Sequence, residues 1–501
     1  MTSGRYPIIE LPTFPGPVEA LRRLPTRPGR VLLHDARAAL GWASGGDSRG
    51  VRAPRPGEGG WGGGMSILCA EPIEWIDGSL DPFRALELLR ERWGATRAAG
   101  GERTGVPGGG LAAAGRSGDR EDRAPFPGGA IGALAFEAGD LLEPLPPPPP
   151  LQAGDPAMGR FGVYDAALVW DWDTGRCFAQ GVRTEFNSQA ELQARLEALI
   201  DTVHSAPGLA ATPPRATGLR PLIEHGPAEV ATSLARPEFL RAVERVRELI
   251  RNGDLFQANL TRTLSVPLEI DGVDLYRRLL RESPAPYSSY LDLGDGEIAS
   301  ISPELFLAVE GGRVRTRPIK GTRPRGSEPA LDQRYLEELT ESVKDRAENV
   351  MIVDLLRNDL SRGCRPGSVQ VTQLAEVESH PTVHHLVSTV EGALRPGVDG
   401  VELLRATFPG GSISGAPKIR ALEVIRELEP VRRGYYTGAI GFLGMDGRME
   451  WSVAIRTAHL RSGVATYGTG GGITLDSEPE EEWRETEDKA RAFLQAIRSA
   501  E

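Results

Sequence analysis

Apolar and polar positions change texture part-way along the chain. In the first part MSILCAEPIEWI (65–76), GGAIGALAF (128–136) and GVYDAALVWDW (162–172) are short, largely apolar runs bounded by turn residues, which predicts strands, and a helix is expected near 81–93. Farther on, Phe239, Val243, Val246 and Ile250 recur at helical spacing, with Pro237 near the start and Gly253 just past the end, predicting an amphipathic helix over 237–252. The following FQANLTRTLSV alternates like a half-buried strand. Two more helices are expected late in the chain. One has a buried stripe of Ile419, Leu422, Ile425 and Leu428, with Pro417 in its first turn; the other is EEWRETEDKARAFLQAI.

Stretches rich in Gly, Arg, Ser and Pro interrupt this pattern. Segments 43–64 and 95–124 are expected to be mobile surface loops, and the proline run 146–150 a stiff spacer. A Pro/Ala/Gly-rich segment, 206–227, marks the best boundary. It divides an N-terminal region, 1–218, from a second domain, 228–498.

The N-terminus lacks a basic stretch followed by an apolar one, and the best apolar run, 128–136, is about half of what a membrane span needs, so a soluble, cytoplasmic protein is expected. A net charge of −11 with no concentrated basic patch argues against a nucleic-acid partner. It also means that an anionic ligand would need local cations. Cys69, Cys177 and Cys364 show no metal or redox spacing and read as core residues.

Of 58 Lys+Arg residues only four are lysines (Lys320, Lys344, Lys418 and Lys489), leaving 58 − 4 = 54 arginines. Lysine can lose its proton when buried and act as a nucleophile, which arginine cannot, so these four are candidates for chemistry. Lys320 follows ISPELF within a run holding Arg313, Arg315, Arg317, Arg323 and Arg325, whose charges are expected to depress its pKa, although the same run fits a basic surface loop. Glu304, set among Ile301, Pro303, Leu305 and Phe306, has the surroundings of a carboxyl kept protonated for use as a general acid.

On the last predicted helix Glu482, Glu485 and Lys489 share a face. Alone that is a solvated charged surface; beside the glycines of TYGTGGGITLDSEPE, read as a loop, it suits Mg²⁺. FPGGSISGAPK, with Ser412 and Ser414 ahead of a helix, has the make-up of an anion site.

Taken in order, GDLFQANLTR, ISPELF, PIKGTRPRG, KDRAENVMIVDLLRNDL, PTVHHLVSTVEG, FPGGSISGAPK, GAIGF with AIRT, and ETEDKA resemble the chorismate-utilising enzyme family, most closely its aminodeoxychorismate synthase component I branch. The resemblance implies an α/β (α+β) fold of two large antiparallel β-sheets packed as a sandwich with helices outside, like anthranilate synthase component I. Residues 1–218 would be an N-terminal region of the component I type and 228–498 the chorismate-binding domain. It further implies Mg²⁺ held by Glu348 and Glu485, with Glu482 assisting, and the enolpyruvyl carboxylate clamped by Arg456, Lys489 and the backbone from Gly470 to Gly472. Gly321, Thr322, His385, Ser412 and Tyr436 would line the same pocket.

Members that add water carry a lysine base where this chain has Gln257, so the resemblance implies ammonia as the nucleophile. Anthranilate synthases show alanine where it has Lys320. The implied reaction is addition of Lys320 at C2 of chorismate, with Mg²⁺ and Glu304 aiding loss of the 4-hydroxyl. Ammonia then attacks C4, giving 4-amino-4-deoxychorismate on the way to p-aminobenzoate and folate. No cysteine sits in a glutaminase-like elbow, so a separate glutamine amidotransferase subunit is expected to supply the ammonia. Two other readings stand beside this one, anthranilate synthase component I and a catalytically silent binding protein on the same scaffold. SILCAEP departs from the inhibitor motif of regulated anthranilate synthases, so no tryptophan inhibition is expected.

Overall fold

The computed structural model describes residues 7–36, 61, 64–99, 126, 128–152, 154–184, 187–205, 230–268, 270–380 and 382–498. Nearly all of the loop expected at 43–64, residues 100–124 of the one expected at 95–124, and the whole 206–227 boundary lie outside them; residues 95–99, expected as loop, instead continue the helix that begins at Pro82. Two sheets dominate, one of 12 strands and one of 10. Both draw strands from either side of the 206–227 segment. In the first, Val31–His34 pairs with Tyr287–Asp292; in the second, Gly129–Leu134 pairs with Ala439–Gly444; both pairings are antiparallel.

Apolar side chains fill the space between the sheets and both outer faces. Val31, Leu33 and Ile67 from the first sheet meet Ile131, Ala133, Ile440 and Phe442 from the second. Leu32 and Leu68, pointing the other way, pack with Leu192, Leu196, Tyr276 and Phe493 of outer helices. Ala130 and Leu134 of the second sheet face Phe83, Leu86, Leu404 and Leu422. These strands are covered on both sides, which is why their sequences read as continuous apolar runs rather than alternating ones. No described helix is long and apolar enough to cross a membrane. Cys69, Cys177 and Cys364 are buried and unpaired.

Two of the expected strands are each two strands in different sheets. Residues 65–76 divide into Met65–Cys69 of the first sheet and Glu74–Asp77 of the second. Likewise, Gly159–Tyr164 belongs to the second sheet and Ala166–Asp171 to the first. Asp165 turns that corner: its buried carboxylate accepts from Arg195 at 2.7 Å and from the Asn187 amide at 2.7 Å. A lone acid inside an apolar run thus marks a change of sheet, because only at a corner can it reach such partners.

The expected helices form over Pro82–Ala99, Arg236–Arg251, Lys418–Leu428 and Pro479–Arg498. In the third, the buried positions are Ala421, Leu422, Val424 and Ile425, while Ile419 is exposed; Pro417 is the cap rather than a first-turn residue. The helix presses on the Gln257–Pro267 strand across its small side, so Ala421 takes the place expected of a larger residue.

Candidate active site

The candidate site draws on the Gln257–Pro267 and Val464–Ile473 strands of the first sheet, the Ile319–Pro324 strand of the second and the helices packed on them, whose charged side chains act on one another. TYGTGGGI is part of a strand, not a loop, paired along its length with Gln257–Pro267. Its glycines serve close approach. A side chain on Gly468 would collide with the Tyr436 ring, and one on Gly472 with the Gln257 amide. At Gly471 a Cβ would stand 3.1 Å from Glu482 Oε2 and 3.2 Å from Glu485 Oε1, so only a bare backbone leaves room between the strand and these two acids.

Glu482 and Glu485 come from the Pro479–Arg498 helix, whose first turn holds Glu480, Glu481 and Glu482, a placement the helix dipole favours. Ser477 donates its hydroxyl to Glu482 at 2.6 Å. Burial, followed by the charge of Glu485, pushes the Glu482 carboxyl up to about 7. Glu485 is held below the usual range, chiefly by Lys489, which pairs with it at 2.6 Å and donates to the Gly470 carbonyl at 2.8 Å. Glu348 lies on the Val343–Ser361 helix, begun by the Ser342 hydroxyl accepting from the Asp345 backbone; burial raises its carboxyl while Lys320 and Lys344 oppose the rise.

Lys320 sits across this cleft. Its Nζ donates to the Ser412 carbonyl at 3.4 Å, and the charges acting on it belong to Glu348, Lys489, Glu304 and Glu485. Its pKa is lowered first by burial, opposed most strongly by Glu348, with Lys489 adding to the depression. The arginine group expected to do this is engaged elsewhere: Arg317 pairs with Glu378, Arg323 with Asp345 and Arg325 with Asp332. The strand pleat and a bulge in the pairing of 319–324 turn those guanidinium groups away from the amine.

Glu304 lies between two strands of opposite sheets and is 5% exposed. Burial pushes its carboxyl up to about 7, against hydrogen bonds from the Ser412 hydroxyl and the Ile319 backbone and the charges of Lys320 and Lys489. Thr322 hydrogen-bonds His385 Nδ1 at 2.9 Å. His385 also bonds the Gly321 backbone, and burial with nearby Arg456 holds its pKa down to about 3, so its ring is neutral. Gly321 has φ +75°, and a Cβ there would come within 2.9 Å of Leu339.

Arg456 also takes a left-handed backbone, φ +51°, unusual for a side chain of this size. Among the described residues no carboxylate pairs with it. Contacts and charges thus bring together Lys320, Glu304, Ser412, Glu348, Glu482, Glu485, Lys489 and Gly470, while Thr322, Gly321, His385 and Arg456 act on one another as a second group. Tyr436 and Gly472 are placed by the Gly468 and Gln257 contacts.

One element went unread in the sequence. Arg433 is fully enclosed, pairing with Glu429 at 2.7 Å and donating to the carbonyls of Asn259 at 2.6 Å and Ile413 at 3.0 Å. Glu429 in turn accepts from the Thr261 backbone at 2.8 Å. This hub ties the Tyr436 turn to the strand and to the Ser412 loop. Its only trace in the sequence is a Glu and an Arg four apart beyond a helix end.

The profile of the chorismate binding enzyme family matches residues 106–495. The chain belongs to that family. This chorismate binding enzyme is 44% identical over 382 residues to an anthranilate synthase component 1 from Streptomyces coelicolor, covering 75% of this chain and 74% of that one. It is 40% identical over 373 residues to an aminodeoxychorismate synthase component 1 from Salmonella typhimurium, covering 74% and 77%. Among solved structures it resembles anthranilate synthase component I from Streptococcus pneumoniae, with TM-score 0.69, 29% identity and coverage of 95% and 100%. The expected sandwich of two antiparallel sheets is thus the family's own.

Four carboxylates, Glu304, Glu348, Glu482 and Glu485, beside Lys320 and Lys489 in a chorismate binding enzyme raise the question of a cation. Among the described residues, no three His, Cys, Asp or Glu side chains converge into a ready metal cage. The donor chemistry nevertheless fits a hard cation. Glu482 and Glu485 both direct an oxygen at Gly471, and their mutual repulsion raises one of them. Mg²⁺ is commonly held by one or two carboxylates, completed by water and substrate oxygens.

Proposed function

We propose that this enzyme aminates chorismate at C4, as component I of an aminodeoxychorismate synthase using ammonia from a separate glutaminase subunit. The observation that carries the reading is an amine, Lys320, whose burial favours the neutral form, facing Glu304, a carboxyl whose burial favours the protonated form. A nucleophile and an acid are thereby prepared on one side of the same cleft.

In this mechanism the Lys320 amine forms a bond to C2 of the ring, the two conjugated ring double bonds shift along to C1=C6 and C4=C5, and the C4–O bond breaks. Glu304 gives its proton to the departing hydroxyl, which leaves as water. Ammonia then attacks C4 and the electrons return, releasing Lys320 as a neutral amine. The proton left on the new amino group passes to the Glu304 carboxylate, restoring the acid. Arg456 and Lys489 offer the cations that a dianion requires against the acidic background. Glu348, Glu485 and Glu482 would hold Mg²⁺, which when bound supplies positive charge to a substrate carboxylate.

The 44% identity to the Streptomyces coelicolor protein favours a second reading, anthranilate synthase component I. Against it, this chain has Lys320 in its PIKGT motif. Purified protein with chorismate, Mg²⁺ and ammonium should consume chorismate without producing fluorescent anthranilate. Fluorescence at the anthranilate wavelength decides for the rival, and no consumption of chorismate decides for a silent binding protein.

Two variants examine the binding groups. Glu485→Gln should weaken Mg²⁺ binding at least about tenfold by calorimetry, with an unchanged circular dichroism spectrum. Undiminished affinity removes Glu485 from the ligand set. Arg456→Gly suits the left-handed backbone better than arginine does, so its thermal midpoint should not fall, while KM for chorismate should rise about 10- to 100-fold through loss of charged hydrogen bonds. An unchanged KM means that Arg456 does not hold the substrate.

A further inference from the structure

Lys418 is one of four lysines in a chain with 58 Lys+Arg residues, and no step above uses it. It begins the Lys418–Leu428 helix, and its side chain is 11% exposed. Nζ donates to Asp359 Oδ2 at 2.6 Å and to the Thr407 carbonyl at 2.8 Å. Asp359 is 1% exposed and lies near the end of the Val343–Ser361 helix, which carries Glu348 in its second turn. The pair therefore bridges three elements: that helix, the end of Gly400–Thr407, and the start of Lys418–Leu428.

The segment enclosed by those elements is the one that holds Ser412. Its turn, Gly411–Ile413, packs so closely on the Val343–Ser361 helix that a Cβ on Gly411 would lie 2.7 Å from Leu355 and 3.7 Å from the same Asp359 oxygen that accepts from Lys418. Arg433 holds the other side of the turn through the Ile413 carbonyl at 3.0 Å. Between these anchors the Ser412 carbonyl meets Lys320 Nζ and the Ser412 hydroxyl meets Glu304.

We propose that the buried Lys418–Asp359 pair is a positioning device for catalysis, setting the Ser412 turn so that its carbonyl and hydroxyl hold Lys320 and Glu304 in register. A pair whose only work was stability would be a poor choice for this place. Replacing a buried ion pair by apolar groups of similar volume is often neutral or stabilising, whereas removing one partner leaves an uncompensated charge. An apolar pair would also lose the tether to the Thr407 carbonyl and the acid facing Gly411. Lysine suits the geometry because a single compact ammonium on a flexible stem can reach a carboxylate and a carbonyl in different elements. The inference rests on Lys320 and Glu304 working as a pair.

The full-length protein with ammonium, chorismate and Mg²⁺ provides the test, with chorismate consumption, thermal midpoint and the labelling rate of Lys320 by an amine-acylating reagent as readouts. The scarcity of lysine lets mass spectrometry resolve Lys320 cleanly. Lys418→Met alone is expected to lose stability, so the deciding variant is Lys418→Met/Asp359→Leu, which removes both charges. It should melt near the parent, yet turn over about 10²-fold more slowly at nearly unchanged KM, as expected of misplaced reacting groups. Its Lys320 labelling rate should differ at least about threefold from the parent, because the amine's reactivity follows its surroundings. Asp359→Asn, which keeps an oxygen for Lys418 to donate to, should retain most of the parent's kcat.

A double variant that is stably folded with full kcat and parental Lys320 labelling overturns the proposal, as does an Asp359→Asn protein as slow as the double variant. Undiminished turnover in Lys320→Ala would instead sink the reading of Lys320 as nucleophile. That result is independent of whether the double variant is slow.

Discussion

Lys320→Ala should lower ammonia-dependent consumption of chorismate by on the order of 10³-fold or more, the scale on which loss of a principal catalytic group is felt. The fold should survive. Lys320 is half-buried, and the one hydrogen bond its side chain makes among the described residues, to the Ser412 carbonyl, is long at 3.4 Å, so little packing is lost with it. Parental protein quenched during turnover and digested should carry a chorismate-derived mass, less water, on the Lys320 peptide. Full turnover in the alanine variant would remove the covalent route. Lys320→Arg should be nearly as slow as Lys320→Ala, since a guanidinium keeps the charge but cannot shed a proton.

The second large effect is expected at Glu304. As the donor of a proton to the leaving hydroxyl it must be protonated, and burial sets its pKa at about 7. The sign follows directly: as pH rises through about 7 the acid form of Glu304 and the rate are lost together, while on the acid side protonation of the Lys320 amine removes the nucleophile. Lys320, Lys489 and the hydrogen bonds from Ser412 and Ile319 all favour the carboxylate, so the raised value reflects burial alone. Glu304→Gln should reduce kcat by about 10²- to 10⁴-fold and erase that alkaline limb. A glutamine variant whose residual activity still falls through the same range would assign the limb to another group.

Much of the site was legible because its residues fall in short ordered motifs. ISPELF, PIKGT and RAENV each place one candidate side chain among apolar neighbours, and those neighbours decide burial locally, while ETEDKA places two, Glu485 and Lys489, four apart on one helix face. Glu304 is the clearest instance: Ile301, Leu305 and Phe306 are core residues, and the carboxyl among them is driven toward its neutral form as the sequence suggests. The last helix was equally plain, because a spacing of three and four residues fixes which side chains share a face.

What was misread depended on contacts between distant segments. The arginines around Lys320 are near it in sequence, but a strand sends neighbouring side chains to opposite faces, and Arg317, Arg323 and Arg325 meet carboxylates from elsewhere: Glu378, Asp345 and Asp332. The glycines of TYGTGGGI suggested a loop because strand interiors seldom tolerate so many. They are tolerated here since Tyr436, Gln257 and the two acids of the last helix occupy the volume that side chains would have filled. Two apolar runs taken as single strands each serve two sheets, and Arg433 and Lys418 show their importance only once three elements close around them.

By itself the sequence determined most of the elements, the family and the candidate reactive groups, because helical periodicity, burial of apolar runs and motif order are properties of neighbours along the chain. Tertiary structure alone decided which charge acts on which. Coulombic attraction and desolvation depend on distance through space and on the water displaced between groups, and neither quantity is carried by separation along the chain.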